Sequence, residues 1–380
     1  MTVSALHPQP FEAARRDRTR QCASAVVSAR EGVVRCIPAT VAGMLTLGTD
    51  FSGMDVPAMA LRKLGVKHVH MFASDTNPAC RKVIKHVFRP RKVYTNIQHR
   101  TNATTSKCQL YVFGHPCQPF SSLGNNIGES DDRCVLGKAM GYIRQQLPQA
   151  VLMENVAGLA SQTHRKTLLK IIRAMRNCDY KVYWKILNTY HHGVPHSRRR
   201  LYLVGMTTET HPFSWPDPIP VLKNPGWLTA FDPTTDKRGR MPDNLNKAHL
   251  VKLAYKKCED HSINPCATPV FVDVGCTPKF AVSMARKLPC LSATRGASFN
   301  IWVSTRGRCI QLPELFRLQG IDPADYPWEA AGVTASQMGR MLGNAMSLNM
   351  CERVLASLIW SAGLVKDKPS DRWALGKVAF

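Results

Sequence analysis

The chain has 380 residues, enough for a large domain with its own core and a smaller one beside it. Lys and Arg number 51 against 26 Asp and Glu, and the formal charge of +25 points to a polyanionic partner, most simply nucleic acid. No apolar run approaches the ~18 residues of a membrane span, and 13 scattered cysteines without a Cys-x-x-Cys pair exclude a zinc ribbon or a redox dithiol.

Residues 1–43 show little periodicity and crowd Arg15, Arg16, Arg18 and Arg20 together, which predicts a flexible basic arm that adds phosphate contacts. From Met44 onward strand and helix signals alternate. The run 44–48 reads as a buried strand, 51–55 as a tight turn, and 56–64 as a helix with Asp55 as N-cap and Pro57 in the first turn. A strand at 69–73 ends just before Asp75, and a helix follows over 78–87. Further apolar runs at 110–113, 150–153, 182–187 and 201–204, with helical patterns between several of them, predict an α/β fold around a doubly wound, mostly parallel sheet. The stretch 209–290 holds 11 of the 25 prolines and breaks this pattern. It reads as a loop-rich inserted module. Its lysines (Lys247, Lys252, Lys256, Lys257) and Trp215 and Trp227 suit either a nucleic-acid contact or a solvated face. Helical patterns return at 313–319, 337–343 and 351–362. The layout expected is a large domain of 44–207 and 291–365, an insertion over 208–290, and a tail over 366–380.

Four features carry chemistry. The turn Phe51-Ser52-Gly53 with Asp75 at the end of the next strand has the form of a nucleoside site, backbone close to the ligand and acid on the ribose, although a plain strand–helix turn has the same residues. Gly114-His115-Pro116-Cys117-Gln118-Pro119-Phe120-Ser121 follows a buried strand; its two prolines make a stiff loop that presents one thiol at the carboxyl end of the sheet. Glu154, after the run 150–153, falls along the same rim, where a helix-capping acid is the alternative. In His196-Ser197-Arg198-Arg199-Arg200 an extended backbone would aim Arg198 and Arg200 the same way, and a solvated basic run would look no different.

Pro116-Cys117-Gln118-Pro119-Phe120-Ser121, Glu154-Asn155-Val156 and Arg198-x-Arg200, in this order and at these separations, strongly resemble the DNA (cytosine-5) methyltransferases. Asn344 after Gly343 is similar to that family's last motif, and Arg308, Glu314 and Gln319-Gly320 to the one before it. The resemblance covers about 45–205 and 290–350, and places the insertion where the family carries its target-recognition domain. It implies a Rossmann-like methyltransferase fold, with S-adenosylmethionine as methyl donor and a flipped-out cytosine in duplex DNA as substrate. Cys117 matches the nucleophile that adds to carbon 6, and Glu154 the acid on ring nitrogen 3. Arg198 would hold the base carbonyl or brace Glu154, with Arg200 holding the surrounding loop. Phe51, Gly53, Asp75, Asn96, Pro116, Leu136 and Asn344 match the cofactor contacts; Gln118, Ser121 and Asn155 would face the substrate. No metal is implied.

Three residues depart from the family pattern: Asp55 stands where a glycine is usual, Asn96 for an aspartate, and His196 for a glutamine. A transfer RNA methyltransferase on the same scaffold, or a binding protein that has lost the cofactor, are the competing readings; Ser121 after Phe120 suits the DNA branch. The expected setting is a monomer in a reducing intracellular compartment, the nucleus in a eukaryote and otherwise the cytoplasm.

Overall fold

The computed structural model describes residues 43–115, 136–223, 227 and 239–380. Nearly all of the expected basic arm lies outside these residues. So do Pro116, Cys117, Gln118, Ser121 and the loop that follows them.

Seven strands form the main sheet: β1 (Leu45–Asp50), β2 (His68–Ser74), β3 (Val93–Tyr94), β4 (Leu110–Phe113), β5 (Ala150–Val156), β6 (Lys181–Asn188) and β7 (Arg199–Met206), in the order β3-β2-β1-β4-β5-β7-β6. All neighbours are parallel except the pairs made by β7, which runs antiparallel between β5 and β6. β1 and β4 are buried along their whole length, as strands covered on both faces must be. Successive residues feed opposite cores: Leu110 and Val112 of β4 join one apolar cluster, Tyr111 and Phe113 the other. Helices α3 (Leu136–Gln146) and α4 (Arg165–Arg176) cover the second face, and α1 (Val56–Lys63) and α2 (Pro78–Val87) the first.

The parallel register brings the carboxyl ends of β1, β2, β4 and β5 to one rim, with Asp50 paired to Ser74 and Phe113, and Phe113 to Met153. Because β7 is antiparallel, its beginning lies on the same rim, with Arg200 opposite Val156. β5 runs on through Val156 and β7 starts at Arg199. Glu154 and Asn155 therefore sit on β5 rather than after it, and Arg200 on β7 itself rather than in the extended segment leading into it.

Residues 239–309 depart from the loop-rich expectation. Helix α5 (Leu245–Glu259) packs Leu250, Val251, Ala254 and Cys258 against a second sheet made of β8 (Val270–Asp273), β9 (Ser283–Ala285), β10 (Ile301–Val303) and β11 (Arg308–Cys309). Its order is β11-β10-β8-β9, all antiparallel, so the small sheet crosses the expected boundary at 290. Strands of two to four residues are too short to show a period in sequence.

Helices α6 (Ala293–Ser298), α7 (Leu312–Arg317), α8 (Ala335–Asn344) and α9 (Leu348–Ser361) return the chain to the large domain. Only Trp360 of α9 escapes full burial, and the helix packs against α1 and β5. The expected tail is pinned onto it: Arg372 holds Glu352 with two bonds of 2.7 Å, Trp373 is buried and donates to Glu352, and Arg353 pairs with Asp371 at 2.7 Å. Among the described residues no helix is long and apolar enough to cross a membrane.

α6 and α8 meet backbone to backbone. A Cβ on Gly339 would be driven into the Gly296 carbonyl, and one on Gly343 into that of Ser292. Since neither carbonyl belongs to a flexible side chain, Gly339→Ala is expected to cost about 1–3 kcal/mol in urea unfolding by overpacking. It should also weaken cofactor binding, because α8 ends on Asn344 at the cavity described next.

Candidate active site

A cavity of about 270 Å³ opens on the rim of the main sheet. Its floor is the turn after β1, Asp50 to Met54, and its walls include Asp75, Gly114, Glu154 and, from α8, Arg340 and Asn344. The turn is built from left-handed residues at alternate positions: Phe51 (φ 54°), Gly53 (φ 57°) and Asp55 (φ 56°). This aims backbone N–H groups away from any regular ladder. Gly53 donates to Asp75 Oδ2 at 2.8 Å, and Asn77 to Asp75 Oδ1 at 2.8 Å. Burial pushes the Asp75 carboxyl up despite these bonds. Beneath the turn, Arg100 grips Asp50 through two bonds of 2.7 and 2.8 Å, among the rings of Phe72, Tyr94 and Tyr142. Sequence reading missed this pair, whose members lie 50 residues apart.

Glu154 is buried and also lines the cavity. It pairs across the sheet with Tyr202, so Arg200, two residues earlier on β7, lies diagonally beside it on the same face. The Arg200 Nε stands 3.2 Å from Glu154 Oε1. The expected division between the two arginines is thus reversed. Arg200 holds the acid, while Arg198 is buried and donates to the carbonyls of Leu291, Gly343 and Ala345 at 2.9, 3.2 and 2.7 Å. Arg198 is the brace of the surrounding loops. The reversal arises because β7 begins at Arg199, so Arg198 precedes the strand and does not share its alternation with Arg200.

Asn155, expected to face substrate, points to the other side of β5. Its amide Nδ2 donates to the His115 carbonyl at 3.2 Å and lies 3.0 Å from that ring's Nε2. It fastens the end of the stretch that leads into Cys117. Asn96 does not line the cavity; its side chain accepts from the Gln98 amide and caps a short helical turn. Leu136 begins α3 and packs into the second core cluster. Phe51, Gly53, Asp75 and Asn344 all line the cavity. Arg308 and Glu314 pair through two bonds of 3.0 Å, and Gln319 joins Leu342 and Ser347, so this stretch supports α8 rather than touching the cavity.

An unexpected thiol stands beside the pair. Cys290 Sγ is 3.8 and 3.9 Å from the terminal nitrogens of Arg200. Burial pushes this thiol up, but Arg198, Arg200 and Arg295 outweigh it and hold it below its ordinary value. Arg295 in turn donates to the Cys290 carbonyl at 2.9 Å and pairs with Asp273 of β8 at 2.6 Å. Polar contacts therefore run from Glu154 through Arg200, Cys290 and Arg295 to the small sheet.

A sequence model of the C-5 cytosine-specific DNA methylases matches residues 50–360. The chain belongs to this family. The methyltransferase is 28% identical over 316 residues to the Type II methyltransferase M.NgoBI of Neisseria gonorrhoeae, an alignment covering 82% of this chain and 93% of the relative. It is 26% identical over 325 residues to M.HaeII of Haemophilus aegyptius, covering 84% and 94%. Among solved structures, the Dnmt2 methyltransferase of S. pombe superposes with a TM-score of 0.53 at 18% identity, over 83% of this chain and 98% of that one. The Entamoeba histolytica methyltransferase EhMeth superposes with 0.57 at 14% identity, over 85% and 99%. These two speak for the fold. The methyltransferase uses S-adenosylmethionine as methyl donor, and the cavity suits it: an aromatic ring at Phe51, a carboxylate at Asp75 with lone pairs left for hydroxyl groups, and open space over Gly53.

The left-handed φ at position 55 explains why glycine is usual there, and aspartate is among the side chains that tolerate it best. Asp55 stands at the N-cap position of α1 without capping it; the side chain turns inward instead. Thr49 Oγ1 lies 3.3 Å from its Oδ2 and 3.2 Å from His70 Nε2. Burial pushes the Asp55 carboxyl up to about 8 and the His70 imidazole down to about 3. His196 accepts from the Leu291 amide at 3.1 Å, a bond a glutamine oxygen could equally make.

Two predictions follow from this geometry. Removing the Arg198 guanidinium (Arg198→Met) orphans three buried carbonyls and is expected to cost about 2–4 kcal/mol in urea unfolding. Arg200→Met should cost less than about 1 kcal/mol there, yet lower methyl transfer at least tenfold with cofactor binding retained. The second prediction concerns pH. The folded pKa of Asp55 lies above its unfolded value, so the folded state keeps a proton the unfolded chain has lost, and stability falls as pH rises toward 8. His70 is depressed and works in the opposite sense, but only below about pH 6.5, where the unfolded imidazole takes up a proton. Between about pH 6.5 and 8.5 the wild type should therefore lose up to about 2 kcal/mol relative to Asp55→Asn, which keeps the left-handed turn without the titration.

Proposed function

We propose that the protein methylates carbon 5 of cytosine in duplex DNA through a covalent bond between Cys117 and the target base, with the base flipped out of the helix. The observation that carries this reading is Glu154, held by Arg200 on the wall of the cofactor cavity. It lies on the rim where β4 delivers Gly114, three residues before Cys117. Cytosine carbon 5 is a poor nucleophile until a thiolate adds to carbon 6. Cys117 supplies that thiolate, and Glu154 donates a hydrogen bond or proton to ring nitrogen 3, so the addition yields an enamine rather than a nitrogen anion. Arg200 places a positive charge 3.2 Å from one Glu154 oxygen, which keeps the acid at the rim beside the ring edge. S-adenosylmethionine supplies an electrophilic methyl group on a sulfonium. Phe51, Asp75 and Asn344 would hold it, and Asn155 ties His115, two residues before Cys117 in sequence, to β5. Loss of the carbon-5 proton to a base then expels the Cys117 thiolate and restores the aromatic ring. The target atoms lie inside the stack, so unpairing costs a few kcal/mol before any of this begins. In this reading Gln118 and Ser121, one and four residues after Cys117 in sequence, contact the extruded base.

The DNA-methylase match and the Type II relatives favour DNA over transfer RNA as substrate, and the retained Glu154–Arg200 pair speaks against an inactive binding protein. Cys117→Ala is expected to lower transfer of labelled methyl to duplex DNA by about a thousandfold or more, with cofactor affinity within about twofold by calorimetry. Duplex DNA carrying 5-fluorocytosine should trap the wild type, and not this variant, as a complex that survives denaturation, since fluorine cannot leave as a proton. Transfer by Cys117→Ala at an undiminished rate would mean another nucleophile acts.

A further inference from the structure

A second concave site lies at the other end of β2. A cavity of about 520 Å³ is lined by Arg62, Lys67, His68, Arg89 and Arg91 over an apolar floor, with no carboxylate among its described lining residues. β2 has seven residues, so the start of the strand at His68 stands about 20 Å from the cofactor end at Ser74. The two sites open on opposite rims of the sheet. Arg62 is pre-ordered: it donates to the Val87 carbonyl at 3.0 Å and lies 4.6 Å over the Phe88 ring. The neighbouring Lys63 is neutralised by Asp325; Arg62 has Asp55 within electrostatic range, but that carboxyl is buried and pushed up to about 8, so at neutral pH it leaves the cavity's positive charge largely uncompensated. Across residues 56–115 there are 11 Lys and Arg against a single acid, Asp75, which is turned toward the cofactor turn at the far end of β2.

Like charges converging on one concavity repel one another, and a partner carrying regularly spaced negative charge relieves that repulsion and releases its own counterions. We propose that this cavity is a second DNA-binding site, which takes the phosphodiester backbone of duplex lying outside the segment whose cytosine is methylated. The proposal rests on the reading that duplex DNA is the substrate. Because the two sites face opposite rims, one short duplex cannot fill both. A molecule longer than the ~150 base pair persistence length can return a second segment to the same protein.

The full chain carrying Lys67→Gln, Arg89→Gln and Arg91→Gln tests this by binding at several salt concentrations. On a duplex of about 500 base pairs the variant should lose about tenfold in affinity, and the slope of log K against log salt should shrink by about 2–3. On a duplex of about 15 base pairs around the target, affinity and methyl transfer should change less than about twofold, with the melting temperature unchanged. Lys166→Gln, Arg173→Gln and Arg176→Gln on α4 remove the same charge elsewhere and should leave the difference between long and short duplex as in the wild type. The proposal is overturned by an unchanged long-duplex affinity and slope, by equal losses on both duplexes, or by the α4 variant producing the same effect. Tripolyphosphate bound by the wild type and lost in the first variant, without any change on long DNA, would assign the site to a small anion and likewise overturn it. Failure of the wild type to methylate either duplex would defeat the substrate reading instead, while the length-dependent binding would still report on this cavity.

Discussion

Arg200 meets Glu154 because β7 runs antiparallel beside β5. Were β7 parallel like the other neighbours in the sheet, its first residues would lie at the opposite rim, about 20 Å away. Reversing one strand brings a late segment of the chain back to the edge where β1, β2, β4 and β5 end. The acid and its cation then sit on adjacent strands of a buried sheet, which is stiffer than any loop and holds both groups in place before substrate arrives. Arg198, one step outside the strand, serves a different end: it collects the carbonyls of Leu291, Gly343 and Ala345 and so ties the returning segment to the rim.

The cofactor turn shows a similar division between what reaches the cavity and what supports it. Phe51, Gly53 and Asp55 take left-handed conformations that only a few residues accept without strain. They are kept there by bonds on either side: Ser52 to the Ser74 carbonyl at 2.9 Å, Gly53 to Asp75, and the Tyr326 hydroxyl to the Met54 carbonyl at 2.6 Å. The inward-facing Asp55, Thr49 and His70 form a small buried polar cluster beneath the turn. A protonated carboxyl beside a neutral imidazole avoids placing an isolated charge in the core. The charged pair under the turn is the other one: Arg100 satisfies both oxygens of Asp50 at once, the geometry in which a buried ion pair best offsets its desolvation.

The small sheet is joined to this machinery through charge as well as through the apolar core that Phe271, Ile301 and Val303 share with the main sheet. Asp273 of β8 holds Arg295, Arg295 holds the Cys290 carbonyl, and the Cys290 sulfur lies against Arg200. A shift of the small sheet would therefore be felt at Glu154 within four contacts. The close backbone approach of α6 to α8 adds a second, rigid connection, because the glycines there leave no side chain to yield.

Much of this was legible in the sequence because it depends on neighbours along the chain. Alternating apolar runs and helical spacings identified the doubly wound sheet, the turn at 51–55 and the helix over 78–87, which is observed as Pro78–Val87. The ordered motifs identified the family and the residues Phe51, Gly53, Asp75, Glu154 and Asn344, which converge on one cavity. The small sheet was not legible, since strands of two to four residues carry no period. Neither were the partners Arg100 and Cys290, nor which arginine holds Glu154, nor that Asn155 turns away to His115. A sequence records which chemical groups are present and what local backbone they favour. Which group faces which is decided by strand direction, register and burial, and these are set by contacts between residues 40 to 150 positions apart.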